Sequence, residues 1–187
     1  MQICEISDKE SLFLLSSLTE LGYCSKRMIY ERIKPVNKIF EMDFDTLKAS
    51  LKLSEKQIRA VLSLKLKTDE LHEEYLSLSD RKIRFILPFE DDYPQKLLNI
   101  RDYPFGIFVK GDVPQNKKSV AIVGSRSASE YGLGMARFIA KELAQSGVDI
   151  ISGMALGVDT KAHEGAVEGA GKTYAILGTG VNVCYPE

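Results

Sequence analysis

The chain has 187 residues, 44% hydrophobic and 27% charged, with a formal net charge of −1, which is enough apolar material for one ordinary core or two small ones and excludes a disordered chain. No apolar run is long enough to span a membrane, and Met1 to Lys9 places Glu5 and Asp8 ahead of its first basic residue, so no secretory leader is expected and the cytoplasm is the expected compartment. Cys4, Cys24 and Cys184 have no paired spacing and only His72 and His163 accompany them, so reduced thiols are expected, with no metal site and no cofactor.

The first part, residues 1–78, reads as a helical domain. Ser7 with Glu10 forms a capping-box pair, Leu12, Leu15, Leu18 and Leu21 recur every three residues, and Gly22 stands where that helix would stop. A second helix is predicted from Ser25 to Lys34, ended by Pro35. A longer one follows Ser54 and its partner Gln57, carrying Ile58, Val61, Leu62, Leu66 and Leu71 on its apolar face.

After Asp80 the texture changes to short apolar runs punctuated by Pro and Gly, and residues 79–187 read as a second domain. Strands are predicted at 82–87 and 107–109, with a turn and a short helix between Pro88 and Pro104. From Ser119 the pattern is regular: strand 120–123, helix 129–146, strand 148–151, helix 159–170, strand 174–177. Short, continuous apolar runs suit parallel strands covered on both faces, so the fold class is α/β, half of a Rossmann-like doubly wound parallel sheet. Ligands of such sheets sit outside the carboxyl ends of the strands.

Three Gly-rich turns fall at those ends. Gly124-Ser125-Arg126 follows the first strand, the run from Ser152 and Gly153 through Ala155 to Gly157 follows the second, and Gly178-Thr179-Gly180 follows the third. Glycine admits a phosphate close to backbone amides, the hydroxyls of Ser125 and Ser152 can donate to its oxygens, and helix N-termini add positive potential. The Arg126 guanidinium can pair with a phosphate or stack on a base. Glycines after strands also serve simply as tight turns, and an arginine with serines at two adjacent turns is what favours an anion site. From Gly111 onward there are 7 basic and 8 acidic residues, and 18 of each precede it, so a nucleic-acid site must be a local patch.

Other motifs are near misses. Ala166 to Thr173 reads AVEGAGKT, a P-loop without its first glycine, and it ends a helix where a P-loop opens one. Gly132 and Gly134 lack the third glycine of a dinucleotide fingerprint. His163, with Asp159 one turn away, has the spacing of a general base and its orienter, but a lone histidine on an amphipathic helix is more often a packing residue. Asp159 itself is placed as a helix N-cap. No nucleophile elbow or paired-carboxylate site can be assembled.

The stretch from Ser119 to Pro186, with VAIVGSR, Tyr131-Gly132 and SGMALGVDTKAHEGAVEGAGKTYAILGTGVNVCYP, resembles the central signature of the DNA-processing protein DprA (Smf) family. Tyr93-Pro94-Gln95-Lys96-Leu97-Leu98, Pro104 and the FGIFVKGD run ending near Gly111 are similar to the same family's approach to this fold. The resemblance implies a protein that is not an enzyme, binds incoming single-stranded DNA during natural transformation, protects it and helps load the recombinase RecA. It implies a DNA pocket lined by Gly124, Ser125, Arg126, Ser152, Gly153 and Ala155, a homodimer in the full-length protein, and a helical N-terminal region like the sterile-alpha-motif or helix-hairpin-helix regions of the family. Family members continue past the point where this chain stops, so a second domain incomplete at its C-terminus is expected. Two other readings stand beside this one. A nucleotide-processing enzyme of the phosphoribohydrolase type would carry a PGGxGTxxE run, which is absent. A protein-interaction scaffold would act through its helical part.

Overall fold

The computed structural model describes residues 6–114 and 118–183. The expectations for Cys4, Cys184 and Tyr185-Pro186 lie outside the described residues, and Cys24 is an exposed free thiol. Two compact units divide the chain: Met1–Tyr93 with Leu97–Lys110, and Pro94–Lys96 with Gly111–Glu187.

The first unit holds α1 (Asp8–Ser16), α2 (Tyr23–Arg32), a short 3-10 turn (Val36–Phe40), α3 (Phe44–Ser50), α4 (Glu55–Leu64) and α5 (Thr68–Asp80), followed by β1 (Ile83–Ile86) and β2 (Ile107–Lys110). Leu12, Leu14, Leu15, Ile29, Ile39, Leu47 and Ile58 are fully buried between the helices, the apolar area that stabilises a unit of this size.

Both ends of α1 depart from expectation. Ser7 accepts a hydrogen bond from the Glu10 N–H, but the Glu10 carboxylate turns away from the cap to meet His72 Nδ1 of α5 at 2.5 Å, so only half of the capping box forms. At the other end, the hydroxyls of Ser16 and Ser17 donate to the carbonyls of Phe13 and Leu14 and close the helix before Leu18. Gly22 is then the N-cap of α2, which runs two residues ahead of its predicted span.

The single long helix expected after Ser54 is two. Ser54 and Gln57 do form a complete capping box, but the last turn of α4 tightens to bonds from the 65, 66 and 67 amides to carbonyls three residues back. Thr68 Oγ1 reaches the Leu64 and Lys65 carbonyls, and Leu66, predicted apolar face, is 91% exposed at the break.

β1 and β2 pair antiparallel, Ile83 opposite Lys110 and Ile86 opposite Ile107. They belong with the helices rather than beyond a boundary at 79: Phe13 of α1 packs its ring against Tyr75 of α5, Phe85 of β1 and Phe108 of β2. An alternating strand pair with one apolar face needs that cover.

The second unit is a three-stranded parallel sheet in the order β3 (Ser119–Ala121), β4 (Asp149–Ser152), β5 (Thr173–Ala175), with α6 (Glu130–Gln145) and α7 (Val158–Glu168) as crossovers. Ser129, expected as the first residue of this helix, is its N-cap and accepts from the Gly132 N–H. Each crossover steps to the next strand in the same direction, and right-handed crossovers then place both helices on one face. Ala140, Ala144, Ile150, Ala162 and Ala166 form one buried cluster with Ile122 and Leu143 against it. Both helices lie on one face; on the other, among the described residues, Val123 and Ile176 are 70% and 64% exposed.

The P-loop look-alike finds its explanation in this helix pair. A Cβ on Gly165 would stand 2.1 Å from the Arg137 carbonyl oxygen, and one on Gly169 would stand 2.7 Å from that of Lys141. These glycines let α7 lie directly on the backbone of α6, next to its alanines.

Candidate nucleic-acid interface

The carboxyl ends of β3 and β4 carry the first two Gly-rich turns, and the start of α7 holds them together. Gly157 has φ +87, a conformation that only glycine adopts freely. A Cβ there would lie 2.4 Å from the Ser125 carbonyl oxygen and 2.8 Å from Arg126 Cα, so the two turns touch backbone to backbone. The Val158 N–H donates to the Ser125 carbonyl at 3.3 Å, and the Val158 side chain fills the space that a side chain on Gly124 would need.

Asp159 completes the junction. It is 7% exposed, and its two carboxylate oxygens accept from different turns: Oδ1 from the Gly124 N–H at 3.4 Å and Oδ2 from the Gly153 N–H at 3.1 Å. It is not the N-cap of α7. That place belongs to Gly157, which offers no side-chain cap, and the carboxylate sits inside the first turn, where its charge also suits the helix dipole.

The predicted residues therefore divide by what occupies their hydrogen-bonding groups. Ser152 is 2% exposed and its hydroxyl donates to the Ile122 carbonyl at 2.7 Å, tying β4 to β3. The amides of Gly124 and Gly153 are engaged by Asp159. Ser125 is exposed, and its Oγ accepts from the Ser127 N–H at 3.1 Å. Arg126 is exposed and makes no ion pair or hydrogen bond with another described side chain. Three other cations of this unit are paired: Arg137 with Glu168, Lys161 with Glu164 at 2.7 Å, and Lys172 with Asp112 at 3.7 Å.

The β4 turn is strained where it bends. Met154 takes φ +61, which costs a non-glycine residue about 1–2 kcal/mol, and Met154 and Leu156 present their side chains outward, 39% and 52% exposed. Ala155 is held by Thr160, whose N–H and hydroxyl both donate to the Ala155 carbonyl, at 3.1 and 2.7 Å. Neither Thr160 nor the cross-turn reach of Asp159 is apparent from spacing, although both follow a glycine at the start of a helix, where side chains can turn back onto the preceding loop.

Gly178, Thr179 and Gly180 are not brought into this junction. All three are exposed, a Cβ on Gly178 would meet nothing within 4 Å, and one on Gly180 would meet only Asn182 and Val183. The third strand joins the others through the Ile176 N–H, which donates to the Ser152 carbonyl at 2.8 Å.

His163 points away from catalysis. Thr173 Oγ1 donates to the Ile150 carbonyl and so accepts from His163 Nδ1–H at 2.7 Å. Nε2 is left as a buried lone pair with no partner. Burial lowers the His163 pKa below its ordinary 6.5, against the smaller opposing effect of the Asp159 charge, because a proton on Nε2 would have no acceptor. The described residues hold no cluster of three or more His, Cys, Asp or Glu that could bind a metal ion, and no helix long and apolar enough to cross a membrane.

Comparison with known proteins agrees with this architecture. The family model of DNA recombination-mediator protein A matches residues 84–187. Protein Smf of Borreliella burgdorferi is 37% identical over 123 residues, 65% of this chain and 38% of the relative. DNA processing protein DprA of Streptococcus pneumoniae is 37% identical over 119 residues, 63% of this chain and 42% of the relative. The chain thus spans about four tenths of the length of these curated relatives. The X-ray structure of the Streptococcus pneumoniae DprA superposes with a TM-score of 0.69 at 28% identity, covering 97% of this chain and 61% of that one, which carries the mixed α/β fold and its helical N-terminal part.

Proposed function

The chain belongs to the DNA recombination-mediator protein A family, and we propose that it binds single-stranded DNA at the junction of the β3 and β4 turns. The family description names a mediator of recombination, and its relatives are named for DNA processing; neither name describes a catalyst. The single observation that carries the reading is Arg126, a guanidinium at a strand end with no ion pair among the described residues, in a unit whose other arginine is paired. A phosphodiester needs a cation and exposed backbone donors, not a sequence-specific edge, and such contacts give sequence-tolerant binding that weakens as salt rises.

Within that reading the predicted residues take separate parts. Arg126 with Ser125 meets the phosphate backbone, and the half-buried turn around Ala155 and Gly157 offers amides to it. Gly124, Ser152 and Gly153, whose polar groups face the protein, shape the junction. Gly178, Thr179 and Gly180 extend the track for a further phosphate. In the same reading this activity protects incoming DNA in the cytoplasm, supports RecA loading in natural transformation, and acts in a homodimer.

Fluorescence anisotropy with a labelled oligothymidine tests it. Arg126→Ala removes a charged hydrogen bond of about 1.5–3 kcal/mol, so affinity falls by about tenfold or more. Arg137→Ala, which removes a cation already paired on the helix layer, leaves affinity within about twofold. Equal behaviour of the two variants would refute the assignment.

A further inference from the structure

Asp159 is a buried acid beside an expected polyanion site, and it serves neither as the cap of α7 nor as a partner of His163, whose ring nitrogen is bonded to Thr173. Both of its oxygens are taken by amides, Gly124 N–H on one turn and Gly153 N–H on the other. Those amides are the ones that a Gly-rich turn would present to a phosphate. Here the protein fills them with its own carboxylate, and an incoming anion must be held by what surrounds them.

The geometry points to Asp159 as the positioning residue of the DNA site, an inference that rests on the binding reading above. Its carboxylate crosslinks the turns, and its two neighbours complete the clamp on the first of them. Val158 N–H holds the Ser125 carbonyl, and Gly157 lies against Ser125 and Arg126 backbone with no room for a side chain. Three successive residues of one helix start thus fix the backbone that carries Arg126. Among the described residues the Arg126 side chain makes no hydrogen bond or ion pair that would orient it, so its direction is set by this clamp. Asp159 touches no ligand; it acts through Arg126.

A double-mutant cycle between Asp159 and Arg126 in the full chain tests this, read as oligothymidine affinity by anisotropy, with cooperative thermal unfolding as the check on folding. Asp159→Ala lowers affinity by about tenfold, as Arg126→Ala does, and the double variant is no weaker than either single one, because a misdirected Arg126 has nothing further to lose. Asp159→Asn keeps the shape and one acceptor oxygen, unfolds cooperatively, and falls between wild type and Asp159→Ala; it carries the cycle where the alanine variant does not fold. A role in binding independent of Arg126 leaves the two affinity losses multiplying to about a hundredfold, and a role in stability alone lowers the melting temperature without weakening binding by the folded variant. That multiplication, or wild-type affinity in a folded Asp159→Asn variant paired with a tenfold loss in Asp159→Ala recovered fully by added stability, overturns the assignment. If Arg126→Ala weakens binding and the Asp159 variants do not, this inference fails while the binding reading stands. If the wild-type chain itself fails to bind oligothymidine, both fall.

Discussion

The turns after β4 and β5 are written in the same residue types, glycines and small hydroxyl side chains at the carboxyl end of a parallel strand, and they are built in opposite ways. After β4, Gly153 faces a carboxylate and Gly157 faces the backbone of a neighbouring turn, so both are small because protein already fills the space. After β5, Gly178 faces open space within 4 Å. A glycine at a strand end is therefore no sign of a ligand by itself. At the first two turns it records how closely backbones meet, and in the proposed reading the ligand-facing chemistry passes to the exposed arginine that those contacts hold.

Substitution is the direct way to break that contrast. Gly157→Ala combines a φ near +87 with a Cβ 2.4 Å from a carbonyl oxygen and should cost more than about 3 kcal/mol in denaturant unfolding. Gly178→Ala should stay within about 0.5 kcal/mol. Comparable losses at the two sites would mean that the turns are not built differently. The helix pair offers a second contrast of the same kind. Gly165→Ala forces α6 and α7 apart, because the new carbon would lie 2.1 Å from a backbone oxygen, at a cost of about 1–3 kcal/mol by overpacking. Gly134→Ala, in the same helix layer with nothing within 4 Å, should stabilise by about 0.5–1 kcal/mol. Removing the α6 cap by Ser129→Ala should cost about 1 kcal/mol.

The smallest effect is a pH dependence. Burial holds the His163 pKa below 6.5, so in the window between that lower value and 6.5 the unfolded chain binds a proton that the folded chain does not. His163 therefore contributes its full stability above about pH 6.5 and loses it as the pH falls through the window. Thermal unfolding at stepped pH should show a shallower acid loss for His163→Asn than for wild type. Identical slopes would place the ring in contact with solvent.

The residues that announce local structure were legible. The Ser54–Gln57 pair before α4 acts through its own chain neighbours and forms as its spacing predicts. What escaped depends on partners far along the chain. Glu10 leaves its capping box for His72, 62 residues away, and Phe13 draws β1 and β2 into the helical unit. Asp159 reads in the sequence as a helix cap and acts in the structure as a crosslink, and only the closeness of Gly124 and Gly153 reveals the second role.

The salt dependence of oligothymidine binding tests the proposed role of Arg126 most directly. If Arg126 neutralises one phosphate, the slope of log affinity against log salt concentration becomes shallower by about 0.7 in Arg126→Ala, alongside the weaker binding. A slope and an affinity that match wild type would contradict the assignment of the site to the β3 and β4 turns.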